Sequence, residues 1–141
     1  MNKKNNKGFS LIELVIVITI MVILTALLAP QLLRYVEQSR YAKDAVAVDE
    51  VVRAVELALT NEDAYAQVGT SGFTVTYSKD GGLTVPAAQD KVAVELEKTL
   101  GTLTAIPKFV STTFTTHGNV SIVVSVASGV PVVKATVPTK P

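Results

Sequence analysis

The chain has no cysteine. Its absence excludes a disulfide framework, a thiolate nucleophile, a cysteine-based zinc cluster and a lipoprotein-type lipid anchor. Histidine is nearly as scarce. His117 is the single one, and it sits beside Gly118-Asn119 without the neighbours that a general base or metal ligand needs. We read it as an exposed turn residue. An excess of charge of one sign is also missing: 13 Lys and Arg face 12 Asp and Glu. Lys3, Lys4 and Lys7 cluster at the amino end, so the rest is slightly acidic and carries no nucleic-acid-binding field. Asp80-Gly81-Gly82 lacks the repeated oxygen ligands of a calcium loop and reads as a tight turn. Asn119-Val120-Ser121 fits a glycosylation sequon but opens an expected strand. No catalytic constellation, metal site or cofactor motif emerges, and the reading is of a chain that is not an enzyme.

Charge disappears altogether between Leu14 and Ala29, and the apolar character runs on through Leu33 to Arg34. As a helix, Phe9 to Leu33 would rise about 37 Å, enough to cross a bilayer core of about 30 Å with some tilt. The three upstream lysines hold the amino end in the cytoplasm and send the remainder outward. A cleaved secretory signal would have a shorter apolar run ending in a small-residue cut site, and neither condition is met. One carboxylate, Glu13, stands near the start of this span. An ionised group in hydrocarbon costs about 2.5 to 3.5 kcal/mol or more, so Glu13 needs a partner.

With its short basic leader, its uncharged helix and Pro30, the stretch Gly8-Phe9-Ser10-Leu11-Ile12-Glu13-Leu14 resembles the amino terminus of a type IV pilin. The resemblance covers roughly the first fifty residues. It implies that a membrane-embedded prepilin peptidase and methyltransferase cuts after Gly8 and methylates the new amine of Phe9. Such an amine stays cationic and lies four residues before Glu13. Pairing the two removes an uncompensated charge worth about 3 to 5 kcal/mol and can select the axial register of assembly. The resemblance favours the Phe9 amine of a neighbouring subunit, while Glu13 also faces the positive end of its own helix; the residues leave both open. Pro30 should kink or locally open the helix. One departure is Val22, which replaces the glycine often found between the acid and the proline.

Beyond Leu33 the composition changes to mixed charge, with no turn signal before Thr60-Asn61-Glu62-Asp63, so one helix is expected from Phe9 to about Asn61. Tyr41, Ala45, Val48, Val52, Val55 and Leu59 form a stripe that should carry a sheet. Arg40 with Asp44 and Asp49 with Arg53 read as i,i+4 pairs on a solvated or subunit-facing surface. In the head, Phe73 to Tyr77 and Leu83 to Val85 predict a hairpin, and 87–100 a helix ending at Gly101. Lys108 to Thr116, Val120 to Ala127 and Val130 to Val137 predict a three-stranded meander. The expected fold is α+β: a long amino-terminal helix, kinked near Pro30, packed against a small antiparallel β-sheet head. The segments are a leader at 1–8, a transmembrane and filament-core half-helix at 9–33, an amphipathic half-helix at 34–61 and a β-rich head at 62–141.

The resemblance implies a structural subunit of a pilus, a homopolymer formed with other pilin subunits through helix packing. The precursor would be stored in the cytoplasmic membrane and extracted by a pilus assembly platform, then displayed on the cell surface. Adhesion, twitching motility and DNA uptake are all compatible uses. The head lysines are scattered, so DNA binding would have to arise from repetition along a filament. The alternative is a pseudopilin of a type II secretion or competence system.

Overall fold

A computed structural model describes residues 9–141; Lys3, Lys4, Lys7 and Gly8 lie outside the described residues. The chain divides into two units, Met1–Val36 and Glu37–Pro141. Helix α1, Leu11–Ala58, contributes to both.

In the first unit every described residue is exposed, so helix formation there rests on the backbone's own hydrogen bonds. Its two threonines follow the same rule: the Thr19 hydroxyl donates to the Val15 carbonyl at 2.7 Å and the Thr25 hydroxyl to the Met21 carbonyl at 2.8 Å. Neither hydroxyl then needs water. The helix continues through Pro30, whose missing N–H leaves the Ala26 carbonyl without its usual i+4 donor.

The second unit has a continuous hydrophobic core. From α1 it takes Asp44, Val48, Val51, Val55 and Ala58, a 4,3,4,3 progression, with Ala54 beside them. The expected stripe is therefore rotated. Val48, Val55 and Leu59 are buried as anticipated, but Tyr41, Ala45 and Val52 lie half-buried at its margin. The charge pattern places Asp44 on a solvated surface; it is instead 3% exposed and lies on the core face.

At Asn61 the chain turns. The Asn61 side chain accepts from the N–H groups of Asp63 and Ala64 and starts the short helix α2, Glu62–Ala66. Strands β1, Phe73–Tyr77, and β2, Leu83–Thr84, form the expected hairpin, with Tyr77 opposite Leu83. Helix α3, Asp90–Leu100, follows a 3₁₀ turn at Ala87–Gln89 and ends at Gly101. It buries Val92 and Leu96.

The Lys108 to Thr116 strand does not form. Residues 112–117 are helix α4, Thr112–His117, started by the Ser111 side chain, which accepts from the Phe114 N–H at 3.1 Å. A local cap and the anchoring described below outweigh the β preference of its Thr and Phe residues. His117 is exposed, but it closes this helix and is not a turn residue.

The place of the missing strand is taken by β1. It pairs antiparallel with β3, Val120–Ala127, from Phe73 opposite Val124 to Tyr77 opposite Val120. Strand β4, Val130–Ala135, returns from β3 through Ser128 and Gly129, both at positive φ, as a two-residue hairpin requires. The hairpin and the meander are thus one sheet of order β2-β1-β3-β4. Its inner face presents Val75, Tyr77, Val120, Ile122 and Val124 to the α1 residues of the core. The observed fold is α+β, a long amino-terminal helix with a small four-stranded antiparallel sheet.

Candidate processing and assembly site

Leu11 is the first helical residue of α1, so Ser10 is its cap: the Ser10 carbonyl already accepts the Leu14 N–H at 3.2 Å. Glu13 is then the third residue of the helix. Its Oε2 accepts the Ser10 N–H at 2.8 Å, the carboxylate half of a capping box. In the single chain the acid is thus satisfied by an otherwise orphaned backbone donor at the positive end of the helix dipole. Phe9 is 85% exposed immediately before it. Gly8, the expected cut position, lies outside the described residues.

The helix that follows is long and apolar enough to cross a membrane, and none of its most apolar window is buried within the protein. A core helix of comparable hydropathy would be mostly covered. From Leu11 to Val36 this one offers its whole circumference to lipid or to other helices.

Two acids farther along α1 do different work. Asp44 Oδ2 accepts the N–H groups of Val110 at 2.9 Å and Ser111 at 2.7 Å, and Oδ1 also accepts the Val110 N–H at 3.1 Å. Two turns earlier, Glu37 Oε1 accepts the Thr113 N–H at 3.2 Å, and Glu37 Oε2 the Thr112 hydroxyl at 3.3 Å. Together they clamp the start of α4 onto α1. An aromatic row backs the clamp: Tyr41, Phe114, Phe109 and Tyr77 stand in sequence at centroid separations of 5.2, 4.8 and 4.5 Å. The hydroxyls at its ends donate outward, Tyr41 to the Pro138 carbonyl at 2.9 Å and Tyr77 to the Pro107 carbonyl at 2.7 Å. Burial, with the carboxylates of Asp44 and Glu50 nearby, pushes the Tyr77 hydroxyl above its ordinary pKa.

Sequence reasoning missed this clamp. The available signal was that Asp44 continues the 48, 51, 55, 58 progression by one step, which hydropathy alone disguises. The other weighed residues form no chemical constellation. Asp80 lies in the β1–β2 turn, and the Asn119 side chain is engaged by the Lys79 N–H at 3.0 Å. Among the described residues no group of three or more His, Asp or Glu stands together as a metal site.

No solved structure matches the chain. Residues 3–29 match the family model of the prokaryotic N-terminal methylation motif, which spans the acid, its cap and most of the exposed helix. The protein therefore carries, ahead of a long apolar helix, the class III signal peptide of type IV pilins.

Proposed function

We propose that the protein is a structural subunit of a type IV pilus, cleaved after Gly8, methylated on the Phe9 amine and polymerised through α1. The observation that carries this reading is Glu13 at the third position of a helix that is apolar and exposed on all sides through residues 11–36, inside the methylation motif. Before assembly, residues 9–33 hold the precursor in the cytoplasmic membrane with the leader inside. A prepilin peptidase frees the Phe9 amine, and an assembly platform then exchanges lipid contacts for helix contacts, so the same apolar surface serves both states. Glu13 trades its Ser10 N–H, or shares it, with the cationic Phe9 amine of an adjacent subunit. A charge-assisted bond replaces a neutral donor, and that gain selects one axial register. Residues 34–61 support the head, residues 62–141 form the outer surface, and Pro30 is the position where α1 yields.

Amino-terminal mass spectrometry of a sheared surface fraction tests the proposal. Methylated Phe9 as the first residue, on filaments that disappear when the gene is deleted, is the expected outcome. Recovery of an intact Met1 to Gly8 leader would end it, and processed chains without surface filaments would move the assignment to a pseudopilin. Glu13→Ala is expected to abolish assembly and Glu13→Asp to restore part of it, both without loss of cleavage.

A further inference from the structure

On α1 within the second unit lies an open groove of about 460 Å³, lined by Val46, Asp49, Glu50, Arg53 and Leu57, with Leu100 on the far side. Val46 is 64% and Leu57 56% exposed, a large apolar contribution for a helix whose other face is core. Between them stand Asp49 and Arg53, opposite charges at i,i+4 that do not bond each other; among the described residues the one ion pair is Lys98 with Glu95. The groove therefore joins uncovered apolar area to charges with no partner.

The spacing identifies an occupant. Phe9 and Glu13 are four residues apart, and so are Asp49 and Arg53. If a neighbouring copy is displaced so that its Phe9 comes level with Glu13 here, about 6 Å along the helix axis, its Asp49 comes level with Arg53 here. The same displacement brings its Arg53 within one residue of Glu56. Arg40 and Asp44 share the four-residue spacing, but Asp44 is committed to the Val110 and Ser111 N–H groups, so that pair is unavailable. Only the groove pair is exposed on both sides.

We propose that this groove is the seat of a second copy of the chain, with the copy's Asp49 paired to Arg53 and with Val46 and Leu57 drying the contact. The inference rests on the pilus reading, because that reading supplies the displacement. It adds a second register lock in the water-exposed half of α1. Pairing among desolvating apolar side chains is worth more than the same pair in open solvent.

Mixed assembly tests it. Copies with Asp49→Arg carry two arginines at the contact, and copies with Arg53→Asp carry two aspartates. Each alone is expected to lower filament yield roughly tenfold, and co-expression to restore it, since alternating copies oppose unlike charges. Neither variant regains an i,i+4 pair within its own chain, so rescue reports a contact between copies. Yields that match the unaltered protein for each variant alone, or a mixture no better than its components, would overturn the proposal. A second measurement uses the absence of native cysteine: filaments mixed from Asp49→Cys and Arg53→Cys copies should give oxidised dimers well above either variant alone. Equal dimer in all three preparations counts against it. Failure of the unaltered chain to lose its leader or to form filaments would instead sink the pilus reading itself.

Discussion

The first 36 residues and the rest of the chain solve the same problem in opposite ways. Both contain carboxylates on a single helix, α1, whose surroundings are apolar on at least one side. Among the described residues of the first unit nothing covers the helix; its threonines bond carbonyls four residues back, and Glu13 is satisfied by a backbone donor three residues away. In the second unit Asp44 is covered, and its donors come from 66 and 67 residues away. Local satisfaction leaves a surface free to change partners, whereas long-range satisfaction fixes a fold. The difference separates the part of α1 that stays uncovered from the part that is packed into the core.

The strongest way to break the comparison is to collapse the second unit alone. Gly72 enters β1 at φ +66°, and a Cβ there would lie 2.0 Å from the Val124 carbonyl oxygen of β3, a backbone atom that cannot swing aside. Gly72→Ala is expected to cost roughly 3 to 5 kcal/mol, combining left-handed strain with a clash against the central strand pair. Limited proteolysis of the full chain in detergent should show residues 37–141 digested while the 11–36 helix keeps its protection. Protection of both would show that the sheet can shift to admit the methyl group.

Next in size is removal of the buried acid. Asp44→Ala leaves the buried Ser111 N–H without its acceptor, while the Val110 N–H, on a residue 44% exposed, can turn to water, at roughly 1 to 3 kcal/mol for the loss. Thermal unfolding should show the loss, and Asp44→Asn should recover part of it through its remaining carbonyl oxygen. The matching change in the other region, Glu13→Ala, should leave that transition in place because Glu13 supports no tertiary contact. A shared loss at both positions would erase the distinction between the two acids.

The legibility of the chain follows the same division. α1, the β1–β2 hairpin, α3 and the β3–β4 hairpin were readable because each is specified by neighbours in sequence: an unbroken apolar period, Gly81-Gly82, the stop at Gly101, and Ser128-Gly129. What failed was set from a distance. Thr112 to Thr116 has strand-like composition, yet Asp44 and Glu37 hold the donors at its start, and Ser111 contributes a local cap. The pairing of β1 with β3 spans the whole of α3 and α4, which no periodicity reveals. For the candidate site, the order Ser10 to Glu13 was legible as a motif, while the bond from the Ser10 N–H to Glu13 depends on the local backbone geometry, which the motif does not specify.

A smaller effect probes the aromatic row. The Tyr77 hydroxyl has its pKa raised by burial and by Asp44 and Glu50. The neutral form is therefore favoured in the folded state, so its contribution is intact below the ordinary tyrosine value near 10 and is lost as pH rises through the higher folded value. Tyr77→Phe is expected to remove about 1 kcal/mol near neutrality with the bond to the Pro107 carbonyl, and to flatten the alkaline limb above about pH 10. Unfolding midpoints collected across the alkaline range, from roughly pH 8 to 12, decide this. Parallel curves for the two proteins would assign the alkaline loss elsewhere.

The smallest change in stability is expected at the open edge of the sheet, where the two regions face the same hazard of unplanned contact. The Thr136 N–H donates to the Ser121 carbonyl at 2.9 Å, so by antiparallel alternation Lys134, Val132 and Val130 hold the bonded positions of β4. Pro131 therefore sits where the backbone nitrogen points away from β3. It costs the hairpin nothing and removes a donor from the edge that a second sheet could use. Pro131→Val should change stability by no more than about 0.5 kcal/mol, the range of a surface change. It should nonetheless raise association between heads, read as concentration-dependent sedimentation of the detergent-solubilised chain. In the proposed filament many copies of β4 would lie close together, so a contact negligible for one chain would become a competing assembly route, and Pro131 blunts the sheet edge against it.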